Sequence, residues 1–232
     1  MNYNDYIFST VGGQFTLLRQ FEAMYKNCVD PHGQSQELRR VDYQLVAAVL
    51  HRALVSFKAE QRPVRILDVG CGLGYFTSHI KERFPDADVF GCDISSTAIE
   101  KAAARVPQCN FFPLDLKLST SHSSAYDILI ALDVLYYFTE VEIFEVIHNL
   151  HRLLENTGFL VVGYHLPDQM KFGRYIRSFD DAKALFEPAG FRFRLTWDVV
   201  NNLDENYAGN PVGRHIYFLA QKVQAKQGDR TR

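Results

Sequence analysis

The sequence is poor in cysteine, and its charges nearly cancel. The four cysteines, Cys28, Cys71, Cys92 and Cys109, stand singly, without the paired spacing of a zinc site or the density of a disulfide framework. A formal net charge of −2 lacks the basic excess typical of nucleic-acid binding. We therefore expect a cytoplasmic protein with no metal site and no nucleic-acid partner.

Long apolar runs are also missing. No stretch approaches the roughly 20 apolar residues that cross a bilayer, and the first ten residues, MNYNDYIFST, lack the basic region and apolar core of an export signal. What is present is ordinary for a globular protein, with 47% hydrophobic and 22% charged residues in 232 positions. We expect one main domain and no membrane partner.

Three parts of the chain are expected. Residues 1–60 form a helical arm, because residues such as Phe15 and Leu18 follow helical spacing. Residues 61–222 form the main domain, and residues 223–232 form a polar, flexible tail. The arm packs on the main domain, either as a lid that closes over ligands or as a simple packing segment.

Strands and helices alternate through the main domain, which indicates a parallel sheet covered on both faces. The alternating segments are VRILDV, Tyr75 to Phe84, ADVFGC, Ser95 to Arg105, CNFFPL, YDILIAL, Val141 to Leu154 and GFLVVGY. A helix from Phe179 to Glu187 and two strands, FRFRLTWDVV and RHIYFLAQKV, complete the domain. A short loop between the last two strands favours antiparallel pairing. We predict an α/β, doubly wound, Rossmann-like sheet of seven strands with its last strand reversed and a helical N-terminal extension.

A glycine loop follows the first of these strands, in the stretch VRILDVGCGLGYF. Strand, glycine loop and helix N-terminus together form a site for a small charged ligand. A dinucleotide fits poorly, because Tyr75 occupies a position where its fingerprint requires glycine or alanine. In addition, the charge of Asp68 would face a pyrophosphate, and like charges about 4 Å apart repel by roughly 4 kcal/mol at an effective dielectric near 20.

Three successive predicted strands each end near an aspartate. Asp68 can meet an ammonium group, Asp93 can accept ribose hydroxyls, and Asp115 can accept an adenine amino group or else cap the following turn. The ends of parallel strands line one crevice. S-adenosylmethionine carries an ammonium, a sulfonium and a ribose but no phosphate, so it suits this set.

The motifs ILDVGCGLG, GCDIS, FPLDL, YDILIALDVLYYF and LLENTGFLVVGY resemble, in order and spacing, those of the class I S-adenosylmethionine-dependent methyltransferases. The resemblance covers residues 64–165 and implies a methyl transfer that releases S-adenosylhomocysteine. It implies cofactor contacts for Asp68, Gly70, Gly72, Gly74, Tyr75, Asp93, Ile94, Asp115, Leu116, Asp133 and Val134. For Asp133, a helix-capping or structural role is equally open.

The fourth motif differs from the commonest small-molecule pattern. Where many relatives carry a Glu-His pair, this chain has Tyr136 and Tyr137, and the form VLYY is similar to the nodulation N-methyltransferase that modifies a chitooligosaccharide. This short likeness favours a sugar, amino-sugar or glycan acceptor, methylated on oxygen or nitrogen. An aromatic face near a sulfonium is favourable, so either tyrosine can contact cofactor or substrate.

Catalytic and substrate residues are predicted from their positions near the strand ends. His165 follows the fifth strand and is the candidate base, unless it only hydrogen-bonds under a loop. Tyr137 is a second catalytic candidate, and Tyr136, Arg174 and Arg177 are substrate candidates, the arginines for an anionic group. An RNA or protein methyltransferase, an aminopropyltransferase and a non-catalytic cofactor-binding module remain alternatives. The sequence carries no signal for the oligomeric state.

Overall fold

The protein is described by a computed structural model over residues 4–37, 41–57, 62–118, 125–166, 173–200 and 214–223. Of the predicted tail, residues 224–232 lie outside these ranges. Within them, no helix is both long enough and apolar enough to traverse a bilayer.

The N-terminal arm contains a β-hairpin as well as helices. Its elements are α1 (Asn4–Ile7), β1 (Phe8–Val11), β2 (Gln14–Leu17), α2 (Phe21–Asn27), α3 (Gln34–Glu37), α4 (Val41–Leu54) and a 3₁₀ turn (Val55–Phe57). The prediction of helix across Phe15 and Leu18 is wrong. Gly12 and Gly13 reverse the chain there with φ of 59° and 81°, and a two-residue hairpin turn requires positive φ at both positions.

The main domain follows the predicted alternation. Its elements are β3 (Arg65–Val69), α5 (Tyr75–Arg83), β4 (Asp88–Asp93), α6 (Ser96–Arg105), β5 (Asn110–Pro113), β6 (Tyr126–Leu132), a 3₁₀ turn (Leu135–Tyr137), α7 (Glu142–Leu153), β7 (Leu154–Leu166), α8 (Phe179–Phe186), β8 (Phe191–Val200) and β9 (Arg214–Lys222). The seven strands of the sheet lie in the order β5-β4-β3-β6-β7-β9-β8. Strand β9 is antiparallel to both its neighbours, which confirms the reversed last strand.

Helices α6 and α8 each begin after a capping serine. Helix α6 begins after Ser95, whose hydroxyl oxygen accepts a hydrogen bond from the Ala98 N–H at 3.1 Å. Helix α8 begins after Ser178, which accepts from the Asp181 N–H at 3.2 Å. A capping serine satisfies an N–H group that has no partner within the helix.

The core has one layer on each face of the sheet. In β6, Leu129 packs with residues of α7 and α8, whereas Ile128 and Ile130 pack with residues of α4 and α5. Successive side chains of a strand point to opposite faces, and both faces are buried here. The near-continuous apolar strands of the sequence arise from this double coverage.

The sheet order reverses between β3 and β6. The chain runs outward from β3 to β5, then returns to place β6 on the other side of β3. Ligand crevices in such sheets lie at the carboxyl ends of the strands at this reversal. Val69, Gly70 and Asp133 lie there, and all three line the same cavity.

Candidate active site

The glycine loop, residues 70–74, requires its glycines for conformation and for space. Gly70, Gly72 and Gly74 have φ of 71°, 54° and 77°, a region that residues with a Cβ seldom adopt. A Cβ on Gly70 would also collide with the side chain of Val134. The Gly70 N–H donates to the Cys92 carbonyl at 2.7 Å, so the loop is fastened to the end of β4.

Asp93 holds the glycine loop from the neighbouring strand. Its Oδ2 accepts a hydrogen bond from the Gly72 N–H at 3.0 Å, and its Oδ1 accepts from the Ser95 N–H at 2.9 Å. Burial raises the pKa of Asp93 to about 6, although the backbone donors of Ser95, Gly72 and Ile94 oppose that rise. This carboxylate therefore fixes the loop and also lines the cavity.

A cavity of about 710 Å³ lies over the glycine loop, a size within the usual range for small-molecule sites, about 300 to 1,000 Å³. Ten residues predicted from the sequence meet on its wall: Gly70, Asp93, Ile94, Asp115, Leu116, Asp133, Val134, Tyr136, Tyr137 and His165. Their predicted contacts with cofactor or acceptor stay predictions.

Six predicted site residues do not line this cavity: Asp68, Gly72, Gly74, Tyr75, Arg174 and Arg177. Asp68 is buried behind the loop, where its Oδ2 accepts a hydrogen bond from the Thr77 hydroxyl at 2.6 Å. Burial raises the pKa of Asp68 to about 7. Asp68 therefore does not face the cavity, and its predicted contact with an ammonium group of the cofactor stays a prediction.

Tyr75 and Arg177, which also lie off the wall, have local partners. The Arg105 guanidinium lies over the ring of Tyr75, 3.9 Å from its centroid, so a cation of the chain itself covers one face of this ring. Arg174 and Arg177 are exposed, and the Nε of Arg177 lies 3.8 Å from the Asp181 carboxylate.

Asp115 caps a turn and also faces the cavity. Its Oδ1 accepts a hydrogen bond from the Lys117 N–H at 2.9 Å, an aspartate turn of the common kind. It also lines the cavity, so the turn orients a carboxylate at the wall.

Two tyrosines line the cavity where the arm meets the main domain. The rings of Tyr136 and Tyr137 lie 4.6 Å apart, and Phe21 of α2 contacts Tyr137 edge-on at 5.0 Å. Burial raises the pKa of Tyr136 well above its usual value. Its phenol therefore stays protonated and is a hydrogen-bond donor rather than a base.

A pair of histidines lies on the cavity wall. His165 on β7 pairs in register with His215 on β9, and His165 Nδ1 lies 3.1 Å from His215 Nε2. Asp133 Oδ1 lies 3.7 Å from the same His215 nitrogen. Sequence reasoning missed His215, because its position depends on the register of two strands whose histidines stand 50 residues apart.

The arm is attached to both sides of the cavity. The carboxylate of Glu22 accepts hydrogen bonds from the Ser95 and Thr97 hydroxyls, each at 2.7 Å, at the start of α6. These bonds lower the pKa of Glu22 to about 2. On the other side, the Arg19 guanidinium lies 2.6 Å from the Glu142 carboxylate. The arm thereby encloses the cavity with side chains that the sequence analysis did not select.

Gln34 connects the arm directly to the glycine loop. Its Oε1 accepts a hydrogen bond from the Leu73 N–H at 2.8 Å. A Cβ on Gly72 would lie 2.6 Å from the Gln34 amide and 2.7 Å from the Tyr25 hydroxyl. The loop and the arm are therefore in van der Waals contact.

Residues 67–160 match a family model described as a methyltransferase domain. This chain carries a methyltransferase domain. The match begins inside β3 and ends inside β7, so it contains the glycine loop and the three carboxylates Asp93, Asp115 and Asp133. The class I S-adenosylmethionine-dependent family predicted from the motifs is confirmed for this domain.

Relatives and solved structures agree with that family and fold. Trans-aconitate 2-methyltransferase of Methylobacterium radiotolerans is 34% identical over 110 residues, which cover 47% of this chain and 40% of the relative. The chain thus spans about two fifths of the length of the first curated relatives it matches.

Among solved structures, magnesium protoporphyrin IX methyltransferase from Synechocystis PCC 6803 with bound SAM has a TM-score of 0.59 at 20% identity, covering 82% of this chain and 84% of that one. The [4+2]-cyclase SpnF has a TM-score of 0.59 at 17% identity, covering 78% and 82%. These likenesses show that the methyltransferase domain has this fold. The cyclase shows that the fold also hosts other chemistry.

Proposed function

We propose that the methyltransferase domain binds S-adenosylmethionine in its cavity and transfers the methyl group to an oxygen or nitrogen of a small molecule. The observation that carries this proposal is the convergence of Asp93, Asp115 and Asp133 on one wall beside the glycine loop. Carboxylates attract a sulfonium and repel phosphate, by roughly 4 kcal/mol per unit charge at about 4 Å and an effective dielectric near 20.

The residues present fit this cofactor. Gly70 lies on the cavity wall and carries no side chain, so the loop backbone is accessible to the methionine chain. Asp93 would hold the ribose hydroxyls, and Asp115 would accept a hydrogen bond from the adenine amino group. When bound, the cofactor supplies an electrophilic methyl group with a neutral thioether as its leaving group.

The chain itself must then align the reactants, exclude water and remove a proton. Phe8, Phe15 and Phe21 of the arm line the cavity and favour a dry site. Holding both reactants in line can supply about 7 to 11 kcal/mol of the barrier. His165, on the same wall, takes the proton of the acceptor, and a positioned base contributes about 10² to 10⁴ in rate.

The acceptor is a small molecule, because the arm encloses a cavity of about 710 Å³. The two methyltransferases described above act, by their names, on trans-aconitate and on magnesium protoporphyrin IX. Neither supports the sugar, amino-sugar or glycan acceptor suggested by VLYY, which stays a prediction. The near-neutral charge argues against RNA.

A second candidate function is cofactor binding without methyl transfer. The fold likeness to a [4+2]-cyclase supports it, since in that protein the architecture serves a reaction named for ring formation. A product that contains the cofactor's methyl group distinguishes the two candidates.

The cytoplasmic location belongs to the same proposal. Cys28, Cys71, Cys92 and Cys109 are all unpaired thiols, which is the usual state in a reducing compartment.

The test of the proposed function is incubation with methyl-labelled S-adenosylmethionine and fractionated cell metabolites, glycans and RNA. We expect label in a small-molecule fraction and loss of that label with Asp93→Ala. Label confined to RNA would overturn the small-molecule acceptor, and cofactor binding without label in any fraction would favour the second candidate.

A further inference from the structure

One side-chain amide of the arm, that of Gln34, bonds to the backbone of the glycine loop. Its Oε1 accepts a hydrogen bond from the Leu73 N–H at 2.8 Å, and its Nε2 donates to the Cys71 carbonyl at 3.5 Å. A glutamine amide carries an acceptor and a donor side by side. Gln34 thereby holds the loop on both sides of Gly72, at one N–H and at one carbonyl.

Gln34 and Asp93 hold neighbouring peptide groups of the loop. Asp93 of β4 accepts a hydrogen bond from the Gly72 N–H at 3.0 Å, and Gln34 accepts from the next N–H along the chain. Leu73, which carries that N–H, is 1% exposed. A buried N–H without a partner costs free energy comparable to a lost hydrogen bond, so loss of the Gln34 amide acts on the loop itself.

Gln34 is fixed in turn by the arm. The Asp30 carboxylate accepts hydrogen bonds from the Gln34 N–H at 2.9 Å and from the Ser35 N–H at 3.0 Å. The amide approaches the loop so closely that a Cβ on Gly72 would lie 2.6 Å from it. Gln34 is therefore held at both ends, its backbone by Asp30 and its amide by the loop.

We propose that Gln34 is a positioning residue of the cofactor site. By fixing the loop backbone at Cys71 and Leu73, it keeps the adjoining Gly70 in the orientation that faces the methionine chain of the cofactor. Gln34 and Gly70 line the same cavity. A site whose backbone is already in place binds its ligand without the cost of ordering that backbone. This inference rests on the proposed function, because it assumes that the cofactor binds beside the loop.

The opposite role for the same amide is competition with the cofactor for the Leu73 N–H. In that case, removal of the amide would strengthen cofactor binding. The contacts favour positioning, because the amide satisfies a carbonyl as well as an N–H and Asp30 fixes the backbone that carries it. The direction in which the cofactor affinity changes distinguishes the two roles.

The first test measures the loop without any cofactor. Gln34→Met keeps the length of the side chain and removes both hydrogen bonds. We expect amide hydrogen exchange at Leu73 to become about 10-fold faster in this variant, whereas the Ala98 N–H, which Ser95 holds, should exchange as in the wild type. Unchanged exchange at Leu73 would overturn the proposal, whether or not the protein methylates anything.

The second test is calorimetry with S-adenosylmethionine. We expect Gln34→Met to bind it about 10-fold more weakly than the wild type. Gln34→Glu should recover part of that affinity, because a carboxylate oxygen still accepts from the Leu73 N–H but offers no donor to the Cys71 carbonyl. With the acceptor fraction found by labelling, kcat at saturating cofactor should stay near that of the wild type.

Gln14→Met is the matched control, since Gln14 is an exposed glutamine on β2 of the same arm. Melting curves identify a variant that fails to fold, in which case Gln34→Glu decides. Equal or tighter cofactor binding by a folded Gln34→Met would overturn the positioning role alone. Absence of cofactor binding in the wild type would instead overturn the proposed function.

Discussion

The two walls of the cavity are assembled in different ways. The wall that we propose for the cofactor, called the cofactor wall, consists of the glycine loop and Asp93 and comes from β3, β4 and the short connections that follow them. The wall that we propose for the acceptor, called the acceptor wall, consists of Arg19, His165 and His215. It joins distant parts of the chain, since Arg19 donates to the carbonyl of Tyr137, 118 residues away. Short motifs can specify the first wall, whereas the second depends on packing across the whole domain.

Replacing the proposed base should lower kcat and leave cofactor binding unchanged. We expect His165→Phe to lower kcat by about 10² to 10⁴, because His165 is the base that we propose for the removal of the acceptor proton. Calorimetry should find nearly unchanged cofactor affinity. An equal loss of affinity would place His165 on the cofactor wall and contradict the division.

Replacing Asp93 should weaken cofactor binding. Its carboxylate holds the Gly72 and Ser95 N–H groups, and hydrogen bonds to a charged group contribute about 1.5 to 3 kcal/mol each. We expect Asp93→Ala to weaken cofactor binding about 100-fold by calorimetry. Asp88→Ala, an exposed aspartate at the other end of the same strand, should bind the cofactor like the wild type.

The contact between arm and loop can be tested with two glycines. Gly72 and Gly12 have φ of 54° and 59°, so alanine strains both, by about 1 to 2 kcal/mol. Only at Gly72 would the new Cβ meet Gln34; at Gly12 nothing lies within 4 Å. We expect Gly72→Ala to weaken cofactor binding about 10-fold more than Gly12→Ala, from the loss of the Gln34 bond to the loop.

A double variant sharpens this test. Replacing Gln34 by alanine in the Gly72→Ala protein removes the collision with Gln34 and leaves that with the Tyr25 hydroxyl, so the effects of the two changes should add only in part. Strict additivity would show that the arm and the loop act independently.

The smallest expected effect concerns Asp68, which lies behind the cofactor wall. Its pKa in the folded protein is raised to about 7 from 3.8, so the folded state holds a proton that the unfolded chain has lost. Stability should therefore fall as pH rises from about 4 to about 7. We expect the melting temperature of the wild type to fall across this range by about 2 °C or more beyond that of Asp68→Asn. Identical pH dependence of the melting temperatures of the wild type and Asp68→Asn would refute the burial of an ionisable Asp68.

Much of the fold could be predicted because its signals are local. The predicted helix from Ser95 begins one residue later, at Ser96, with Ser95 as its cap. The alternation of apolar strands with helices predicted the sheet. The hairpin of the arm was missed because the helical spacing of Phe15 and Leu18 competed with the turn signal of Gly12 and Gly13. A turn signal carried by two adjacent glycines is easily outweighed by a helical pattern that extends over a longer stretch of sequence.

Residues of the candidate site could be predicted where the end of a strand alone decides the position of the side chain. Asp93 and Asp115 line the cavity as the sheet topology requires. Asp68 does not, because the side chain of a strand residue faces one side of the sheet and Thr77 of α5 lies there to bind it. His215 could not be found without the β7 and β9 register.

The most direct test of the central claim is calorimetry of the purified chain with S-adenosylmethionine, NAD and ATP in parallel. The carboxylates on the cofactor wall predict binding of S-adenosylmethionine, which Asp93→Ala weakens, and no binding of the two phosphorylated nucleotides. Uptake of NAD or ATP by a chain that ignores S-adenosylmethionine would contradict the account.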